Sequence, residues 1–172
     1  MDGQLERNFG LIIAYLLPGF VGIAGVGEMS DSVARWLSLI PNSDPTIAGF
    51  LFVGLASLAL GVTLSGVRWL IVDGTHHLTG VAQPVLDYGK LQANILAYNL
   101  AVEHNYRYYQ FYANMQVAIV MLTACQGLSA GTWPYTALST TGLLALELVL
   151  FWASRDCLRR FYARVGQILA PD

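Results

Sequence analysis

Between Asp44 and Arg68 the chain carries no charged side chain, and almost every residue there is apolar or small. About 20 such residues are what a helix needs to cross roughly 30 Å of hydrocarbon. Inside lipid every backbone N–H and C=O must be satisfied within the segment, so an isolated apolar run of this kind has to be a helix. The rest of the chain agrees. Charged residues make up 12% of the 172 and hydrophobic ones 55%, with mean hydropathy +0.52. A soluble domain carries about 25% charged residues. The expected fold class is all-α: a single polytopic membrane domain over 1–172, with four transmembrane helices and a long third helix extending into the cytoplasm.

The expected spans are about 8–27, 46–72, 109–126 and 134–154, with a cytoplasmic connector and helix over 73–108 and a basic tail over 155–172. Arg7 and the apolar run after it could pass for a signal peptide, but are read as a retained first span. Pro18 removes a backbone donor there and predicts a kink. Gly10, Ala14, Pro18 and Gly22 recur every four residues, and Ser57, Gly61 and Ser65 do the same in the second span. Small residues at this spacing let two helices approach closely. Between these spans, Val33, Trp36, Leu37 and Ile40 beside Arg35 predict a short interfacial helix, stopped by PNSDP.

Arg68 and Trp69 read as interfacial anchors, and Arg68 and Asp73, five apart, as poor partners within one helix. DGTHHLTG then reads as a connector, and Asp87 as a cap. From Tyr88 to Gly127 there is no breaker, Leu91, Ile95, Tyr98 and Val102 share a face, and Glu103 precedes Arg107 by the favourable four residues. GLSAGTWP is a short outer turn with Trp133 and Tyr135 at headgroup level, making the last two spans an antiparallel hairpin. Cys125 and Cys157 fall on opposite sides of the bilayer, which predicts no disulfide between them.

Orientation follows from the basic residues. Arg7, Arg68, Lys90, Arg107, Arg155, Arg159, Arg160 and Arg164 fall on one side of a four-span chain, and only Arg35 on the other. The positive-inside rule then places both termini in the cytoplasm.

Three groups of residues carry candidate chemistry. Glu147 is the one ionisable residue well inside a span, where a charge costs about 2.5–3.5 kcal/mol on insertion scales. It reads either as a proton or cation site, extended outward by Thr136 and Thr140, or as a carboxyl bonded to Gln116 or Thr123 on another helix. Asp73, His76 and His77, with Glu103 and His104 across the connector, have the residue types of a metal site. Their spacing matches no metal signature, and an interfacial polar network is the favoured reading. NYRYYQFYANM places Tyr108 and Tyr112 on one face and Tyr109 on another, with Arg107 between. This is either a contact surface for a headgroup, nucleotide or partner, or an aromatic belt. The basic tail reads as a topology determinant with attraction to anionic lipid.

P-loop, GxGxxG and HExxH patterns are absent. No cofactor is expected and nothing points to nucleic acid. AYLLPGF, VRWLIVDGTHHLTG and NYRYYQFYANM resemble a group of small bacterial four-span membrane proteins to which no activity is attached. The resemblance covers most of the chain. It implies a bacterial inner-membrane setting and transfers no functional residue. The expected function is non-enzymatic: a part of a homo-oligomer or of an assembly with other membrane subunits, as a pore, effector or accessory subunit, in contact with the lipid bilayer. The alternatives are a metal-binding membrane enzyme built on the Asp73, His76, His77, Glu103 and His104 cluster, and a small channel or transporter using Glu147.

Overall fold

The structure, a computed structural model, describes residues 10, 12–37 and 47–171. Arg7, the first residues of the first span, Ile40 and the PNSDP stop lie outside the described residues. Within them the chain is helical: α1 (Ile12–Gly27), α2 (Asp31–Trp36), α3 (Ile47–Leu78), α4 (Ile95–Ala130) and α5 (Ala137–Ile168). Three of these, α3, α4 and α5, are long and apolar enough to cross a membrane, and α1 is a shorter apolar helix. At 1.5 Å per residue, a helix of 32 residues such as α3 or α5 is about 48 Å long and outreaches a hydrocarbon core of about 30 Å.

The small residues of α1 and α3 face each other within one chain. A Cβ on Gly19 would stand 1.7 Å from the Ser57 carbonyl oxygen, and one on Gly61 would stand 2.0 Å from that of Tyr15. On the opposite side of α1, a Cβ on Gly25 would come within 2.9 Å of Leu122 Cα on α4. So α1 is wedged between α3 and α4, with backbone packed on backbone. Ala14, Pro18, Gly22 and Ser57 are buried in this seam, Ser65 is half-buried, and Gly10 lies beside the Arg107 side chain. Pro18 offers no N–H to the Ala14 carbonyl one turn back. Asn114 Nδ2 donates to that carbonyl from α4 at 2.8 Å, and the turn before the proline, Ile12–Leu16, is π-wound. A neighbouring helix thus supplies the bond that proline withholds.

Four boundaries differ from the sequence expectation. α3 does not end at Val72 but winds through a π turn, Trp69–Asp73, and continues to Leu78, so Asp73, His76 and His77 are helical. Gly74 takes ordinary right-handed helical angles; the winding is left at Thr79, φ −93° and ψ 17°, and Gly80 follows at φ +93°. α4 starts at Ile95 rather than Tyr88. Before it, Tyr88–Lys90 form a 3-10 turn whose entry is capped by Asp87, which accepts from Gly89 N at 2.9 Å. At its far end α4 runs past Gly127 and stops where Gly131 turns left-handed, at φ 67°. Finally, the basic tail does not begin a new element after residue 154. It is the continuation of α5 to Ile168, because its apolar face has a core to enter.

That core lies at one end of the bundle. Leu158, Phe161 and Val165 of α5 pack with Val72, Ala101, Tyr109 and Ala113 of α3 and α4, and with Val81 of the connector. The connector is strapped to the end of α5 by Asp87 N donating to the Leu169 carbonyl at 2.9 Å and Lys90 Nζ donating to that of Ala170 at 2.8 Å. The short helix α2 buries no residue; its Trp36 ring lies 4.1 Å from Phe52 on α3. The α4–α5 turn closes on itself through Trp133 Nε1 donating to Thr140 Oγ1 at 2.9 Å and through a Tyr135–Gln126 hydrogen bond.

Candidate functional site

Four of the buried polar side chains, Arg68, His76, Ser154 and Arg155, lie where α3, α4 and α5 converge. Arg68 is 4% exposed, with its guanidinium carbon 5.0 Å from the centroid of the Tyr109 ring. Its Nη1 lies 3.5 Å from Asp73 Oδ1, and that same oxygen accepts a hydrogen bond from the Tyr109 hydroxyl. In an α-helix, side chains five apart diverge. The π turn over Trp69–Asp73 fits an extra residue into the circuit and brings the two onto one side. Arg68 is therefore a buried partner of Asp73, whereas Trp69 is exposed. A buried charge needs such a partner together with hydrogen bonds.

Two further links tie α3 to α5. His76 is fully buried, with Nε2 3.0 Å from Ser154 Oγ. Ser154 gives its own proton to the Phe151 carbonyl at 2.8 Å, which assigns the donor role to His76 Nε2 and leaves Nδ1 buried without a partner. At the end of α3, Arg155 donates Nη1 to the Thr79 hydroxyl and Nη2 to the Thr79 carbonyl at 2.5 Å. A guanidinium at a helix C-terminus satisfies orphan carbonyls and opposes the negative end of the helix dipole. On the α1 side, Gln110 Nε2 donates to the Tyr15 hydroxyl at 2.9 Å while Arg107 Nη1 donates to Gln110 Oε1 at 3.4 Å.

The sequence-derived candidates divide. Arg68, Asp73 and His76 sit in this clamp. His77 is exposed beside Tyr162, Nε2 to hydroxyl 3.3 Å. His104 is also exposed, its Nδ1 3.0 Å from the Leu100 carbonyl of its own helix. Among the described residues no three His, Cys, Asp or Glu side chains converge as a metal-ligand group. The tyrosines divide as well: Tyr108 is exposed, Tyr112 lies half-buried beside Phe111, and Tyr109 is at the centre with Tyr106 against it, ring centroids 5.7 Å apart. Glu147 is half-buried on α5, and Gln116 Nε2 donates to its backbone carbonyl at 3.3 Å. Thr140 is engaged by Trp133 at the α4–α5 turn. Cys125 and Cys157 are both free thiols, one on α4 and one on α5.

The sequence reading gives no role to Ser154, Thr79, Gln110 and Asn114, names Arg155 only for orientation, and places Tyr109 only on a face of its own. A signal for some of them exists. Asn105 and Tyr109, and Gln110 and Asn114, are polar pairs four apart that enter an apolar stretch, the pattern of a polar stripe turned to neighbouring helices. GxSxG, a pattern expected to be absent together with P-loop, GxGxxG and HExxH, is present as a string: GLSAG at 127–131 has its spacing. A nucleophile elbow needs a strand-to-helix turn. Here the string forms the end of α4, and no strand occurs among the described residues.

The clamp's side chains are directed at one another, which is the arrangement of a structural fastening. Tyr109→Phe keeps the ring over Arg68 and removes one donor from Asp73. It is expected to lower unfolding free energy by about 1–2 kcal/mol, read by denaturing-detergent titration of the purified protein. An unchanged midpoint would show that the hydroxyl contributes nothing. No family model, no curated protein and no solved structure matches the chain.

Proposed function

We propose that the chain is a non-enzymatic, four-span integral membrane protein of a bacterial inner membrane, working as one component of an oligomeric or multi-subunit membrane assembly. In this reading α1 is the fourth span, and the clamped ends of α3, α4 and α5 lie with both termini on the cytoplasmic side. The grouping of Arg68, Lys90, Arg107, Arg155, Arg159, Arg160 and Arg164 toward that end supports the orientation.

The observation that carries the assembly reading is the uneven cover of the long helices. In its most apolar stretch α5 is 11% buried, against 28% for α3. Outward of the clamp, α5 leans on α4, and Leu144, Leu148, Val149 and Trp152 are all exposed. The polar groups are used to fasten the helices to each other, and the side between α3 and α5 stays open. An open side on an otherwise fastened bundle is what a companion helix would close.

The test is the mass and composition of the particle extracted from its own membranes in mild detergent. A whole multiple of 18.7 kDa without other chains is expected for a homo-oligomer, and additional chains for an accessory subunit. A lone 18.7 kDa chain would overturn the reading.

A further inference from the structure

The open side between α3 and α5 holds a cleft of about 310 Å³. Ile71 of α3, Val120 of α4 and Phe151 of α5 give it apolar walls, and Thr75, Gln116 and Glu147 are its polar groups. Ligand sites begin at about this size and share this make-up, an apolar lining with a few placed polar atoms.

Two of its polar oxygens are acceptors without a donor, beside the second N–H of the Gln116 amide. Thr75 gives its hydroxyl proton to the Ile71 carbonyl at 2.7 Å. Gln116 gives an amide proton to the Glu147 carbonyl, which fixes the amide's orientation, because the flipped amide would set oxygen against oxygen. That leaves Gln116 Oε1 as an acceptor, and it is buried with no hydrogen-bond partner; so is Glu147 Oε1. None of the residues lining the cleft is cationic. Buried acceptors without donors are costly, and a carboxylate in an apolar wall more so. Whatever fills this cleft has to bring hydrogen-bond donors, and a positive charge satisfies it best.

We infer that the cleft binds an amphiphilic amine. Its ammonium group sits between Glu147 and Gln116, where three N–H donors meet two orphan oxygens. Its apolar tail runs along Ile71, Val120 and Phe151 toward the open side of the cleft. The ammonium can belong to a free long-chain amine or to an aminophospholipid headgroup, two sources with the same recognised chemistry. This inference goes beyond the assembly reading and does not depend on it.

The experiment uses the full chain in phosphatidylcholine nanodiscs and a dodecylamine carrying a diazirine near its head, with the matching alcohol as control. After irradiation, adducts mapped by mass spectrometry are expected on Ile71, Val120 or Phe151, at least ten-fold above those from the alcohol. Glu147→Gln, close in shape and unable to carry the charge, is expected to bring amine labelling down to the level of the alcohol, with thermal unfolding showing that the variant remains folded. Unlabelled phosphatidylethanolamine competes if the lipid is the source, and dodecylamine alone competes if a free amine is. Equal labelling by amine and alcohol would overturn the inference. So would amine labelling that survives in folded Glu147→Gln, or adducts spread over the lipid-facing surface. Those results would instead fit a carboxyl proton on Glu147 closing internally onto Gln116 Oε1. Failure here leaves the particle mass unaffected, so the two readings fall separately.

Discussion

Asp73→Ala is expected to destabilise the protein by about 3–5 kcal/mol, the loss seen when one partner of a buried ion pair is removed. The reason lies in what remains. Arg68 is 4% exposed, and its side chain is enclosed by Tyr109 and the α3–α4 packing. Without the carboxylate its charge has a ring face beside it and no anion. Restoring neutrality tests the cause. Arg68→Met combined with Asp73→Ala is expected to recover most of the loss, because an apolar side chain of similar length suits the same space. Denaturing-detergent titrations of the two single variants and the double variant form the cycle. A single Asp73→Ala variant within about 0.5 kcal/mol of the parent would mean that Arg68 reaches water.

Gly61→Val is expected to cost about 3 kcal/mol, at the upper end of what overpacking does. Its Cβ would begin 2.0 Å from the Tyr15 carbonyl oxygen, a backbone atom that moves only if α1 leaves α3. Five residues further along the same helix, Gly66 has nothing within 4 Å of its Cβ position. Gly66→Ala is therefore expected to leave stability unchanged or raise it by up to about 1 kcal/mol through helix propensity. The contrast separates close helix packing from a general intolerance of bulk in α3. Two variants of equal stability would place the α1–α3 seam elsewhere.

These two sites also show how far the sequence can be read. The period-four stripes of small residues are visible in the sequence, since lipid-embedded helices can come so close only over such residues. That the stripe of α1 meets that of α3, rather than a second copy of the chain, depends on the path of the chain and is not written in either stripe. The hydrophobic spans are legible for the same reason, but their ends are not. DGTHHL looks like a connector because Gly, Asp and His are poor formers of isolated helix. In the folded chain Arg155 caps Thr79 and Ser154 engages His76, and those distant partners hold the segment helical. The RDCLRR tail reads as a run of basic residues, and that Leu158, Phe161 and Val165 enter a core depends on α3 and α4 being there to receive them.

The Arg68–Asp73 pair is the sharpest divergence. A separation of five excludes contact in a regular α-helix, and only the π turn between them permits it. Tyr109 was hidden by its neighbours. In NYRYYQFY several tyrosines could face inward, and the helix rotation that picks Tyr109 is set by Ala113 and Asn114 one turn later, both fully buried. Glu147 stands out in the sequence as a lone acid in an apolar helix. The expected partner Gln116 does lie against it, with its amide donating to the backbone carbonyl of Glu147 at 3.3 Å.

The most direct test of a membrane-crossing bundle with its clamped end in the cytoplasm is the accessibility of two single cysteines. With Cys125 and Cys157 replaced by serine, one cysteine goes at Thr132 in the α4–α5 turn and one at Val85 in the α3–α4 connector, both exposed positions. In intact spheroplasts a membrane-impermeant maleimide is expected to label Thr132→Cys and to reach Val85→Cys only after lysis. Labelling of both before lysis, or the reverse order, would contradict the account.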